Sequence, residues 1–194
     1  MQKILLVRPG ATDYDQQGRI QGTLDVPMSD TGRQACAAAL AEVAAANPSI
    51  VYTSPCESAR EAAGVIAEKS GAKVKSLDSL RNLDHGLWQG MLIEDVRTKQ
   101  PKVYRQWQEQ PETVCPPDGE TVLAAKQRVA DALQKMLKKQ KDDAGPIAVV
   151  APEPLASLLR HVLRQDGLSN LWKSSESCGV WEEIEVPEQM AVGV

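Results

Sequence analysis

The residues in this chain whose types could do chemistry are few and scattered. Arg8 ends the apolar run Ile4-Leu5-Leu6-Val7 and leads into Pro9, Gly10, Ala11, Thr12 and, a little later, Asp15. A guanidinium at a strand end offers a planar fork of N–H donors that suits an oxyanion. Asp84 and His85 are adjacent. A His85–Asp84 or a Cys56–His85 pair has the residue types for acid–base or nucleophilic work near neutral pH. Glu153 stands between Pro152 and Pro154, just ahead of a helical stripe. His161, the second of only two histidines, falls off the apolar face of that stripe and reads as a surface residue. Cys36, Cys56, Cys115 and Cys178 form no Cys-x-x-Cys pair and have no histidine at zinc-ligand spacing. They read as free, largely buried thiols of a reducing compartment. No metal site and no cofactor is expected. The Gly18–Gly22 segment is not a Walker loop, because no Gly-Lys-Ser/Thr follows it.

The elements that must position these residues alternate between strand and helix. Ile4–Val7, Ile50–Thr53 and Pro146–Val150 are short continuous apolar runs, as expected of strands buried on both faces. Lys73–Lys75 and the Val180, Ile184, Val186 pattern suggest two more. Ser29 is an N-cap for a helix from Asp30 to about Ala46. A second helix runs from about Cys56 to Ser70, with Gly71 as its stop. Pro101 opens a short helical piece carrying Val103, Tyr104 and Trp107. Glu120 to about Lys141 is the best-defined amphipathic helix, and Leu155, Leu158, Leu159, Val162 and Leu163 mark another. The lysines at the end of the Glu120 helix suit its dipole better than they suit nucleic acid. The expectation is an α/β fold, three-layer α/β/α with a mostly parallel central sheet, in one domain spanning 1–194. Ligands should sit at the carboxyl ends of the strands.

Composition fits this reading. The 194 residues are 42% hydrophobic and 25% charged, with no Phe and only 4% aromatics, so the core is aliphatic. A net charge of -4 gives no general attraction for nucleic acid or an anionic membrane. The opening apolar run is too short for a secretory or membrane-spanning segment, and a cytoplasmic protein is expected.

Taken together and in order, the motifs resemble the histidine phosphatase superfamily, the phosphoglycerate-mutase-like fold. Leu5-Leu6-Val7-Arg8-Pro9-Gly10-Ala11-Thr12 is similar to that family's Leu-Val-Arg-His-Gly-Glu-Thr. Gly18–Gly22, Asp25–Ser29 and Gly32–Ala35 match its next segment. Thr53-Ser54-Pro55 with Ala59-Arg60-Glu61, Leu80 to Gly90, Pro116–Glu120 and Ile147–Leu155 resemble its later motifs. The resemblance implies a phosphohistidine mechanism, in which arginines and a second histidine hold the phosphate and a carboxylic acid protonates the leaving oxygen.

Carried over residue by residue, the working positions differ. The nucleophile's place is Pro9, the second histidine's Pro152, the second arginine's Ser58 and the acid's Asn82. A proline amide nitrogen has a delocalised lone pair and cannot attack phosphorus, and a carboxamide cannot deliver the proton. Arg8, Thr12, Asp15, Asp84, His85 and Glu153 are the expected lining of the pocket. Arg8 is expected to pair with Glu153 or Asp15 as a structural charge. Glu153 is expected at a helix N-terminus, where the dipole favours it.

The resemblance therefore implies a catalytically inactive member that binds a small molecule or a protein. Two other roles remain open. One is an enzyme of altered chemistry that uses His85, Asp84, Glu153 or Cys56 in the same pocket. The other is a structural role in which the pocket has collapsed and an apolar patch pairs subunits as a homodimer. Restoring a nucleophile alone should not restore activity. Pro9→His is expected to leave phosphomonoester hydrolysis at background in a chromogenic assay, because the acid, the second arginine and the second histidine remain absent.

Overall fold

A computed structural model of the chain describes residues 2–140, 145–165 and 178–187. Its centre is one five-stranded sheet. β1 (Lys3–Val7), β2 (Ile50–Thr53), β3 (Lys73–Ser76), β4 (Ile147–Val150) and β5 (Trp181–Glu185) lie in the order β3-β2-β4-β1-β5. β4 pairs parallel with both β1 and β2, and β3 runs parallel to β2. Only β5 is antiparallel, with Val7 opposite Trp181 and Lys3 opposite Glu185. The alternation along β1 sends Ile4 and Leu6 to one face and Leu5 and Val7 to the other, as the uninterrupted apolar run requires.

Helices cover both faces. α2 (Asp30–Ala45) and α3 (Glu57–Ser70) pack through Cys36, Leu40, Val43, Ala59, Ala62, Ala63 and Ile66 against Leu5, Val7, Val51 and Val150. On the other face, α6 (Val122–Lys139) and α7 (Leu155–Arg164) bury Val129, Leu133, Leu155, Leu158 and Leu159 against Ile4, Leu6 and Val149. α4 (Ile93–Lys99) and α5 (Pro101–Glu109) extend that layer through Val96 and Trp107. α1 (Asp13–Gln16) is a single turn that the sequence pattern does not reveal. The three-layer α/β/α arrangement is therefore observed. Lys141, the expected end of the α6 helix, lies outside the described residues. Among the described residues, no helix is long and apolar enough to cross a membrane.

The caps follow the local chemistry. The Ser29 hydroxyl accepts the Gly32 N–H at 3.0 Å, and Gly71 ends α3 in the left-handed conformation with φ 75°. Gly32 has a second duty. A side chain there would collide with the Ala11 backbone, and one at Gly10 would collide with the Gly32 carbonyl. The loop after β1 is thereby held flush on the start of α2, with the Ser29 N–H donating to the Ala11 carbonyl at 2.9 Å. All four cysteines are free thiols; Cys36 and Cys56 are buried, but Cys115 is exposed and not buried as expected.

Candidate functional site

The carboxyl ends of β1 and β4 meet at a cavity of about 10 Å³. Arg8, Pro9, Gly10, Thr12 and Asp15 line it from the first loop, Pro152 and Glu153 from the loop after β4, and Ser58 from α3. Gln21 and Cys178 complete the wall. The space is about that of one water, far below the ~300 Å³ at which ligand pockets begin.

The cavity is small because the chain fills it. The Glu153 carboxylate comes within 2.5 Å of Arg8 Nε, and the two side chains are only 6% and 9% exposed. Of the two carboxylates expected to pair with Arg8, Glu153 is the one in contact. Its other oxygen accepts the Ser157 N–H at 3.1 Å, which satisfies an orphan donor in the first turn of α7. Glu182 of β5 lies 3.6 Å from Arg8 Nη2 and is held more closely by Arg160 at 2.9 Å and Arg164 at 2.7 Å. Asp15 is committed to its own helix start, accepting the Thr12 N–H and hydroxyl at 2.7 Å each. β5 is stitched on by the Arg8 N–H to the Val180 carbonyl and the Gly179 N–H to the Pro9 carbonyl, both 2.9 Å. That stitching brings Cys178 over the cavity.

Electrostatics follow from this burial. Desolvation pushes the Glu153 carboxyl up to about 7 against the pull of its Ser157 hydrogen bonds, and Glu182 and Asp15 add to the rise. Burial also pushes the Cys178 thiol up to about 12, with Asp15 and Glu153 contributing, so it is no nucleophile.

Four residues named from sequence, Asn82, Asp84, His85 and Cys56, do not line this cavity. Asn82 sits beside it as a backbone clamp. Its Oδ1 accepts the Leu83 N–H at 2.9 Å and the Leu155 N–H at 3.2 Å, and its Nδ2 donates to the Glu153 carbonyl at 2.9 Å. Asp84 and His85, expected in the pocket lining, require correction. Asp84 turns its carboxylate back to the Gly86 N–H at 2.9 Å, while its carbonyl and N–H both bind Glu120. His85 is 4% exposed and packs against Trp107, with ring centroids 5.2 Å apart and the rings tilted by 51°. Trp107 in turn meets Trp88 edge-on at 5.6 Å. The physical reason is apolar: the loop from Asn82 to Gly90 buries its own Trp88 against Trp107, so it faces the helical layer. Cys56 lines a different space, about 160 Å³, with Thr23, Ser54, Arg81 and Asn82. Its Sγ lies 3.6 Å from Ser58 Oγ. Gln21, Cys178 and Glu182 were not singled out from sequence, since their places depend on pairings across the whole chain that no local spacing reports.

A family model for the histidine phosphatase superfamily (branch 1) matches residues 4–188. The chain belongs to that superfamily. Among curated relatives, phosphoserine phosphatase 1 of Hydrogenobacter thermophilus is 30% identical over 89% of this chain and 81% of its own. A glucosyl-3-phosphoglycerate phosphatase of Mycolicibacterium vanbaalenii is 28% identical over 84% of this chain and 74% of its own. Among solved structures, a mycobacterial glucosyl-3-phosphoglycerate phosphatase in complex with VO3 superposes with a TM-score of 0.83. It covers 94% of this chain and 92% of its own at 24% identity, a likeness of fold.

Two outcomes test this geometry. Asn82→Ala strands two backbone N–H groups and a carbonyl, so it should cost about 3 kcal/mol in urea unfolding. A cost below about 0.5 kcal/mol would contradict the clamp. His85 provides the second outcome. Burial lowers its pKa from 6.5 to about 4, against the pull of Asp84. Below pH 6.5 the unfolded chain takes a proton that the folded one refuses, so stability falls as the pH drops toward 4. Glu153 has the opposite sign: the folded carboxyl keeps its proton to about 7 and the unfolded one loses it near 4.5, so its share falls as pH rises. Because the two offset, the informative quantity is a difference between proteins. His85→Phe should gain about 3 kcal/mol on wild type between pH 7 and pH 4. Urea melts across that range that run parallel for both would refute the assignment.

Proposed function

We propose that this chain is a catalytically inactive histidine-phosphatase-fold protein with a binding or regulatory role. The observation that carries the reading is the Arg8–Glu153 contact. The one arginine that stands where the family expects a phosphate ligand is neutralised by the chain's own carboxylate. Pro9 and Pro152 line the same cavity and stand where the family places its histidines. Neither can form a phosphohistidine. Asn82, at the acid's place, has its amide engaged by backbone. Loss of a nucleophile costs on the order of 10⁶ in rate in other hydrolases, and here its helpers are replaced as well. An incoming phosphate dianion would meet Glu153, Asp15 and Glu182 around one shared arginine, which is net repulsion.

The relatives named as phosphoserine and glucosyl-3-phosphoglycerate phosphatases define the reaction to test. An enzyme of altered chemistry gains no support from the geometry. Glu153 lines one cavity, Cys56 another, and His85 is packed against Trp107. The space of about 160 Å³ at Thr23, Ser54, Cys56 and Arg81 is the roomier of the two at this end of the sheet. A cytoplasmic location, expected from the sequence, is part of this proposal.

Purified protein should hydrolyse 4-nitrophenyl phosphate, phosphoserine and 3-phosphoglycerate no faster than a buffer blank, with release of phosphate as the readout. Turnover at ordinary enzyme rates, abolished by Arg8→Ala, would overturn the reading.

A further inference from the structure

The α6 helix has two faces with different surroundings. Val122, Ala125, Val129 and Leu133 are buried in the core. One position on, Leu123, Lys126 and Ala130 recur at spacings of three and four residues and so share a second face. With His161 and Val162 of α7, that face lines a cavity of about 360 Å³. The volume clears the ~300 Å³ at which ligand pockets begin, and a cleft between helices is a common place for one. Leu123 is 62% exposed there, while Ala130 and Val162 are half-buried. His161, read from the sequence as a surface residue, is half-buried in the same wall. No lining residue is shared with the cavity at Arg8.

The charge of this groove runs against that of the chain. The net charge is -4, yet none of the described lining residues is acidic, and Lys126 brings an ammonium to the groove. Glu112 lies 3.6 Å from Lys126 Nζ, beyond hydrogen-bond distance, with both side chains open to solvent. Asp131, the next carboxylate along α6, accepts from Gln127 Nε2 at 2.9 Å. Apolar walls with a cation beside them are complementary to an apolar body with an anionic head. We propose that the groove between α6 and α7 binds a small amphiphilic carboxylate, its alkyl or aryl body against Leu123, Ala130 and Val162 and its carboxylate on Lys126. A lysine suits that role because its ammonium sits on a flexible stem that covers apolar surface and can follow the head group. The inference goes beyond the reading of the chain as catalytically inactive and holds whether or not the Arg8 cavity turns over a substrate.

The test uses octanoate, held below its micelle concentration, and its uncharged counterpart octanamide. Each is titrated by calorimetry into the wild-type chain, Lys126→Glu and Leu123→Ser, at constant ionic strength. Amide shifts in a nitrogen-15 spectrum locate the site. Both substitutions fall on side chains open to solvent, so the fold should survive them, and urea melts check that it does. Wild type should bind one octanoate, with shifts centred on residues 123–130 and 161–165, and should bind octanamide at least roughly tenfold more weakly. Lys126→Glu should lose roughly tenfold or more for octanoate and change little for octanamide, because only the head group meets that residue. Leu123→Ser should weaken both ligands, because it removes part of the wall. Absence of octanoate binding to wild type, shifts confined to other parts of the chain, or equal octanoate affinity in Lys126→Glu would each overturn the proposal. So would a wild-type dimer in sedimentation that Leu123→Ser dissolves, since the groove would then be filled by a second copy. Phosphomonoester hydrolysis by wild type would overturn the inactive reading and leave this result standing.

Discussion

A buried ion pair between the end of β1 and the start of α7 organises the cluster of charge at this end of the sheet. Taking a guanidinium and a carboxylate out of water costs several kcal/mol per ion, and attraction repays it only with good geometry. Here the geometry is close but not aligned. The chain supports the pair with a helix N–H on one side and a second carboxylate, itself held by two arginines, on the other. Removing either partner leaves a charge stranded, which is why such pairs are costly to break even where they add little net stability. The same contact sets the size of the cavity, its charge and what can enter it.

The scaffold explains how residues so distant in sequence come together. Parallel pairing of β1 with β4 in register, Val7 opposite Val150, brings the two following loops side by side. Glycine-tight packing of the first loop on α2 removes its freedom to move away. Antiparallel β5 then closes the edge, delivering Cys178 and Glu182 to the same spot. Asn82 ties the Glu153 carbonyl and the first N–H of α7 to a third segment. Those contacts need the fold but no phosphate chemistry, so they hold the scaffold independently of what the site does.

Local chemistry made much of this legible in the sequence. The doubly buried strands announce themselves as unbroken apolar runs, and Ser29 and Gly71 mark helix ends because a hydroxyl cap and a left-handed glycine are local devices. Trp88 and Trp107 are buried and meet edge-on, as large apolar side chains do. Asp84 and His85 misled because adjacency of chemical types says nothing about direction; burying two indoles turned that loop inward. The antiparallel sense of β5 and the contribution of Glu182 depend on closure of the chain end against β1, which leaves no periodic signature. Cavity size was likewise illegible, since it depends on a side-chain contact between residues 8 and 153.

The central claim is that wild-type Arg8 is already liganded by Glu153. The most direct measurement is a crystal structure of the wild-type protein grown or soaked in high sulfate or vanadate. The account predicts the Arg8–Glu153 contact intact and no oxyanion against Arg8. A tetrahedral anion seated on Arg8, with the Glu153 carboxylate swung away, would contradict it.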